Sequence, residues 1–246
     1  MIFDIEGNIG AGKSTLAHSF VAVLKEQGHR VVHLTEPVEE WRNYQGQNLL
    51  DIFYEDQRRW SFTFQVEALL SMTKRENTAM DFEKHGFIVV KERSSFSVRK
   101  LFTPALSHLM TPVEKAVMEK LIKKFEDTCM TNNSTYNATT VYLRADPETC
   151  LQRINKRGRK EETDMQLTYL QQLHTLHEQE VPKLQTDPSR LIVIDGNLDY
   201  CAYEIGNPGF VKVYGRDECF FDIVKKLLAK EKQAAEIGDN CTEFYL

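Results

Sequence analysis

The opening sixteen residues constrain the fold of this chain more than any other stretch. Ile2, Phe3 and Ile5 set an apolar strand pattern that runs into Gly7-Asn8-Ile9-Gly10-Ala11-Gly12-Lys13-Ser14, and helical periodicity begins at Thr15. The octet fits G-x-x-x-x-G-K-[ST], whose backbone N–H groups wrap a polyphosphate at the positive end of a helix. In such a loop Lys13 reaches the β and γ phosphates of a nucleotide and the Ser14 hydroxyl can hold Mg²⁺. The motif alone leaves kinase, GTPase and ATPase open.

The rest of the chain repeats the strand-then-helix pattern. A helix over 14–27, closed by Gly28, leads to a second strand at 30–35 that delivers Glu36 at its C-terminal end. One or two long helices occupy 48–84, Gly86 stops them, and FIVV (87–90) reads as a buried strand running into Lys91-Glu92-Arg93-Ser94. A helix over 113–130, a strand at 139–143, a helix opened by Asp146-Pro147, helical residues 164–186, a strand at 191–194 and a helix at 217–236 follow. Five short strands alternating with helices imply a five-stranded parallel sheet covered on both faces, a three-layer α/β/α P-loop fold. No Gly-, Ser- or Pro-rich stretch marks a boundary, so 1–246 reads as a single domain, with a loose tail at about 230–246.

Composition narrows the partners. A net charge of −5 lacks the basic footprint that nucleic acid binding needs, so no nucleic acid partner is expected. Five scattered cysteines without a C-x-x-C pair indicate neither a disulfide framework nor a zinc site. No run reaches the length of a membrane helix, and the first strand begins almost at Met1, which predicts a cytoplasmic protein without membrane partners. Glu36, Glu92 and the Glu161-Glu162 pair all map to the C-terminal edge of the sheet, where open α/β sheets bind ligands. Together with Arg93, Arg157 and Arg159 they suit phosphoryl transfer to a hydroxyl. A GTPase would carry N-K-x-D, which is absent from the sequence.

These residues bring out a resemblance to the deoxyribonucleoside kinase family. The matching segments are IEGNIGAGKST (5–15), Glu36-Pro37 with Trp41 after it, RWSFTFQ (59–65), ERS (92–94), YLRADPETCLQRINKRGRKEE (142–162) and YLQQLH (169–174). The resemblance implies ATP and Mg²⁺ as cofactors, a small deoxynucleoside as acceptor, and a homodimer, for which the helices at 48–84 and 113–130 could supply a paired face. It makes Glu36 the general base for the nucleoside 5′-hydroxyl, Arg93 its partner, and Ser14 and Glu92 the holders of Mg²⁺. Arg153, Arg157 and Arg159 resemble the arginines of a lid at about 153–163. Residues Gly7 to Thr15, with Asp199 and Tyr200 near the adenine, would bind ATP. Tyr54 and Glu162 would take the sugar 3′-hydroxyl.

At the base, Gln65 matches the amide that reads the ring edge, Phe64 and Phe102 the flanking aromatics, and Trp41 and Leu50 further walls. An amide offers both donor and acceptor and can serve cytosine or thymine. In the family's deoxycytidine kinases an arginine seven residues after this glutamine pairs with an aspartate six residues after the ERS glutamate. Here Met72 and Val98 stand there, so neither partner is left as an unpaired buried charge, and apolar room for a 5-methyl group results. The expectation is a salvage kinase favouring thymidine and deoxycytidine, with a broader substrate range open. The alternatives are a kinase restricted to deoxycytidine or purine deoxynucleosides, a thymidylate kinase, and a non-catalytic relative. No family segment is identified in 201–216, which reads as an extra loop, or in 230–246, and Lys91 is an unusual residue for a strand end.

Overall fold

All five residues of β1 (Ile2–Glu6) are buried, including the charged Asp4 and Glu6, as expected of a central strand in a parallel sheet. The computed structural model describes residues 1–131, 138–184, 190–197 and 221–230. In it β1 pairs with β3 (Ile88–Glu92) on one side and β4 (Ala138–Arg144) on the other. The outer strands are β2 (Val31–Leu34) and β5 (Leu191–Asp195), giving the order β2-β3-β1-β4-β5 with every pairing parallel. The chain leaves β1 where the strand order switches direction, so the loop after it opens into the crevice at the carboxyl edge.

Alternation sorts the strands' side chains onto two faces. Phe3, Ile5, Val90 and Val141 pack with Leu16, Phe20 and Leu24 of α1 (Lys13–Glu26) and with Phe221 and Val224 of the helical stretch 221–230. Ile2, Val89 and Ala138 face the other way, onto Ala79 of α4 (Gln57–Lys84). A separate apolar cluster joins the short helices α2 (Val38–Arg42) and α3 (Leu49–Glu55) to the first half of α4. The three layers and the five parallel strands are those expected.

Several boundaries differ from the sequence pattern. The 48–84 stretch, expected as one or two long helices, is a short one and a long one, because Asp56 leaves helical geometry and its carboxylate accepts the Arg59 N–H at 3.0 Å as the N-cap of α4. β3 runs to Glu92 rather than stopping at Val90, which places Lys91 and Glu92 inside the sheet. The helix expected over 164–186 is confined to α8 (Leu167–Glu180), since Pro182 has no N–H to continue the helical hydrogen bonding, and a 3₁₀ turn follows. The pattern missed a π-helical segment, Ser97–Phe102, and a short α5 (Thr103–Leu106). After them come α6 (Pro112–Thr131) and α7 (Pro147–Arg157). No helix among the described residues is long and apolar enough to cross a membrane.

Candidate active site

The phosphate loop is shaped by close backbone approach. A Cβ on Gly10, at φ 78°, would sit 2.5 Å from the Cys150 carbonyl oxygen, and one on Gly7 would sit 2.6 Å from that of Leu143. Only glycine lets the loop lie this close to α7 and β4. Asn8 is buried, donates through Nδ2 to the Leu170 carbonyl at 2.9 Å and accepts the Ile9 N–H at 2.8 Å. Gly7 and Asn8 therefore shape the loop and tie it to α8 instead of lining the site, whereas residues from Ile9 to Thr15 face a cavity of about 620 Å³. Lys13 folds over the loop, donating to the carbonyls of Asn8 at 2.9 Å and Gly7 at 3.2 Å. Burial, and secondarily the Arg93 guanidinium, lower its pKa to about 8.

Two carboxylates flank the lysine along the edge of the sheet. Ser14 Oγ donates to Glu92 Oε2 at 2.6 Å, and His33 Nε2 lies 3.0 Å from Oε1. Burial by itself would raise the Glu92 carboxyl, but the hydrogen bonds from His33 and Ser14, with Lys13 nearby, outweigh it and hold it below its ordinary value. Hydroxyl and carboxylate oxygens are the donor set Mg²⁺ prefers. Among the described residues no group of three or more His, Cys, Asp or Glu side chains could cage an ion.

Glu36 leaves β2 just as expected and meets Arg93, Nε to Oε1, at 3.0 Å. The guanidinium is 1 % exposed and its charged carbon stands 4.8 Å from the centre of the Phe102 ring. Its Nε and Nη1 have no hydrogen-bond acceptor of good geometry among the described residues, so buried N–H groups lie beside the carboxylate. Arg93 also has φ 61°, a left-handed conformation that costs a non-glycine residue about 1–3 kcal/mol and clusters at functional sites.

Beyond this pair the cavity becomes apolar and aromatic. Trp41, Leu50, Tyr54, Phe64, Gln65, Met72, Val98 and Phe102, all expected in the site, line it together. Phe64 stacks on Phe53 with ring centres 4.6 Å apart and meets Trp41 edge-on at 5.2 Å. Gln65 is buried, and its Oε1 accepts from the Thr103 hydroxyl at 3.2 Å. A hydroxyl donates or accepts, so this contact permits either orientation of the amide. Met72 and Val98 are both 2 % exposed and face the same space. Sequence reasoning missed Phe53, Ala68 and Tyr169 as cavity walls. Phe53 has ordinary core periodicity, and Tyr169 stands in YLQQLH, the one signal that could have found it.

The lid carries its arginines down over the loop. α7 ends at Gly158, a left-handed C-cap, which turns the chain so that Arg157 and Arg159 both pair with Glu162. Arg153 instead bridges the Ala11 carbonyl at 3.0 Å and the Gly196 carbonyl at 2.6 Å. All three arginines and Glu162 line the cavity, and Tyr54 and Tyr169 lie on the same wall. Burial, together with the neighbouring Tyr169, pushes the Tyr54 phenol well above its ordinary value, keeping it a neutral donor. Glu161 turns away to the far side, where Arg42 grips it through Nε at 2.8 Å and Nη2 at 3.2 Å and Asn48 adds a bond at 3.1 Å. Burial opposes ionisation of Glu161, yet Arg42, a backbone bond and Asn48 bring it down to about 2. Asp199 and Tyr200 lie outside the described residues.

A phosphate loop at one end of a cavity with organic-sized apolar room at the other separates the small-molecule kinases from P-loop switches and motors. The chain belongs to the deoxynucleoside kinase family, whose profile matches residues 3–206. It is 36 % identical to human mitochondrial thymidine kinase 2 over 177 residues, 71 % of this chain and 62 % of that protein, so the match spans less than two thirds of that relative's length. It is also 36 % identical to human deoxycytidine kinase over 201 residues, covering 71 % of this chain and 72 % of the relative. The mitochondrial deoxyguanosine kinase of Xenopus laevis is 31 % identical over 207 residues, covering 75 % and 74 %.

Proposed function

We propose that this protein transfers the γ-phosphoryl group of ATP to the 5′-hydroxyl of deoxynucleosides, favouring thymidine and deoxycytidine, in nucleotide salvage. The observation that carries the reading is the Glu36–Arg93 pair at 3.0 Å, set between the phosphate loop and an aromatic chamber. Glu36 takes the proton of the 5′-hydroxyl, and a carboxylate, ionised at neutral pH, needs mainly position for this. Arg93 orients that oxygen with its buried N–H groups. Lys13 moves from the loop carbonyls to the β and γ phosphates, while Arg157 and Arg159 neutralise charge on the transferred group and Arg153 braces the loop. Ser14 and Glu92 would hold Mg²⁺, which would supply positive charge to offset that of the phosphates.

On the acceptor side, Tyr54 and Glu162 hold the sugar 3′-hydroxyl, Gln65 reads the base edge, and Phe64 and Phe102 enclose the ring. Met72 and Val98 leave apolar space that suits a thymine methyl. A thymidylate kinase would need a cation for the acceptor phosphate where β2 ends, and Glu36 stands there. A non-catalytic scaffold has no use for Lys13, Glu36 and Arg93 in one cavity. We also propose a single catalytic domain working as a homodimer, in keeping with exposed Leu70 on α4 and exposed Val113 and Val117 on α6. The acidic net charge favours no nucleic acid partner, and the described helices offer no membrane span. The free buried Cys150 suits a reducing compartment such as the cytoplasm.

The decisive experiment incubates the protein with Mg²⁺-ATP and each of the four deoxynucleosides, and separately with thymidylate, and resolves products by chromatography. Thymidine and deoxycytidine monophosphates are the expected major products. Consumption of thymidylate but not thymidine overturns the assignment, and turnover of deoxycytidine or purines alone overturns the specificity.

A further inference from the structure

The turn that carries Glu92 and Arg93 is held from beneath by buried charges that do not touch the cavity. Asp4 and Lys91 are cross-strand neighbours on β1 and β3, 4 % and 1 % exposed, and Lys91 Nζ lies 3.1 Å from Asp4 Oδ1. The same ammonium donates to the Arg93 carbonyl at 2.6 Å. Arg93 N–H donates to the Ile5 carbonyl at 3.0 Å, so both backbone polar groups of the left-handed residue are engaged. Glu6 then accepts the Ser94 N–H and hydroxyl, each at 2.9 Å, and the Ser97 hydroxyl, while Glu76 accepts the Ser95 N–H at 2.7 Å.

A buried ion pair is a poor source of stability, because desolvation of the two charges offsets their attraction, and apolar residues of similar volume commonly do as well or better. Stability therefore gives no reason for a lysine and an aspartate in the centre of this sheet, and geometry does. Arg93 follows the last residue of β3, and its left-handed backbone brings its carbonyl to within 2.6 Å of the ammonium two residues before it. With the Arg93 N–H held by the Ile5 carbonyl, a strong charge-assisted bond at its own carbonyl anchors the residue on both sides of Cα, and with it the direction in which the side chain leaves the backbone.

We infer that Lys91, oriented by Asp4, is a positioning residue that holds Arg93 in its left-handed conformation and so sets the geometry of the Glu36–Arg93 pair. This rests on the reading of Arg93 as the partner of the catalytic base. Lys91 touches neither substrate, so its removal lowers kcat with little change in either KM.

The test compares the parent with Asp4→Leu/Lys91→Met, which removes both charges together, and places the same double change in an Arg93→Ala background. Asp4→Asn/Lys91→Met serves the same purpose if the leucine variant gives no folded protein. The expected result is a kcat at least fivefold below the parent, KM values for ATP and deoxynucleoside within threefold, and a Tm no lower than the parent's. In the Arg93→Ala background the double change costs less than a further twofold, because the residue it positions is gone. A folded double variant with kcat reduced less than fivefold overturns the inference, as does a loss that persists in full without Arg93. If Arg93→Ala itself leaves kcat unchanged, the catalytic reading of Arg93 falls, a different result from failure of the lysine.

Discussion

The two ends of the cavity are built by different means. At the phosphate end one contiguous run, Ile9 to Thr15, forms the cradle beneath the lid arginines, and the loop's shape depends on glycines pressed against the carbonyls of Leu143 and Cys150. At the base end the walls come from α2, α3, α4, the π-helical segment and α8, each supplying one to a few side chains such as Trp41, Phe53, Phe64, Val98 and Tyr169. A site made of backbone leaves no room for an added side chain. A site made of apolar side chains on separate elements can be retuned by exchanging them, which is how one scaffold admits different bases. Chemistry should therefore fail sharply with changes at the first end and shift in preference with changes at the second.

The largest effect is expected where the ends meet. Glu36→Gln removes the carboxylate proposed as the base without altering volume, and kcat should fall roughly 10²- to 10⁴-fold with nucleoside KM little changed, as read by steady-state kinetics. A loss below tenfold would mean that Glu36 is not the base and that the two ends are coupled some other way. At the base end, Met72→Arg/Val98→Asp introduces a complementary pair facing the same space. Thymidine kcat/KM should drop about 100-fold while deoxycytidine loses no more than tenfold, a change of about 1.4–2.7 kcal/mol in preference. Met72→Arg alone should cost about 3–5 kcal/mol in urea unfolding, because its buried charge has no partner. Equal loss of both substrates would show that this end is as unforgiving as the other.

A smaller effect belongs to the clasp that fastens the lid to the base-end helices. The Glu161 carboxyl titrates at about 2 in the folded protein against an ordinary 4.5, so the folded state holds it ionised more strongly than the unfolded chain does. Its stabilisation is fully present above pH 4.5 and is lost as pH falls toward 2. Glu161→Gln should therefore be less stable than the parent by about 1–3 kcal/mol at pH 7, and the gap should narrow below pH 4.5 and close near pH 2. A gap that stays constant across that range would remove the carboxylate from the argument.

Lys13 supplies a similar test at the phosphate end. With its pKa lowered to about 8, it loses its proton as pH rises past 8, so the ATP Kd should weaken several-fold between pH 7.5 and 9.5. Calorimetry in two buffers of different ionisation enthalpy should detect proton uptake on ATP binding in that window. The smallest effect lies away from both ends: Asp56→Ala removes the N-cap of α4, lowering stability by about 1 kcal/mol with kcat unchanged.

Much of this was legible in the chain because it depends on local order. The strand, glycine loop and lysine of the first sixteen residues, the carboxylates that follow β2 and β3, and the arginines of α7 all sit at fixed offsets from a turn or strand end. Periodicity then places them on one edge of the sheet. Boundaries were less legible where a side chain decides them, as at Asp56, where a capping carboxylate divides one helical pattern in two. Gly7 and Asn8, which match the motif as strictly as their neighbours, are turned inward by contacts to Leu143 and Leu170 some 140 to 160 residues away.

The sequence by itself determined the layered parallel sheet, the phosphate loop at its switch point and the charged residues along that edge, because each follows from short-range pattern and strand polarity. Periodicity does not separate walls from core: Phe64 was expected in the site only through the resemblance, and the tertiary structure alone decided that Phe53, Ala68 and Tyr169 are walls too. It also decided the partners of the buried charges: Lys91 with Asp4, Glu6 with Ser94 and Ser97, Glu161 with Arg42. Those pairings join segments far apart in the chain. The force that selects them is the cost of an unpaired charge in a dry interior, which exists only once the interior has formed.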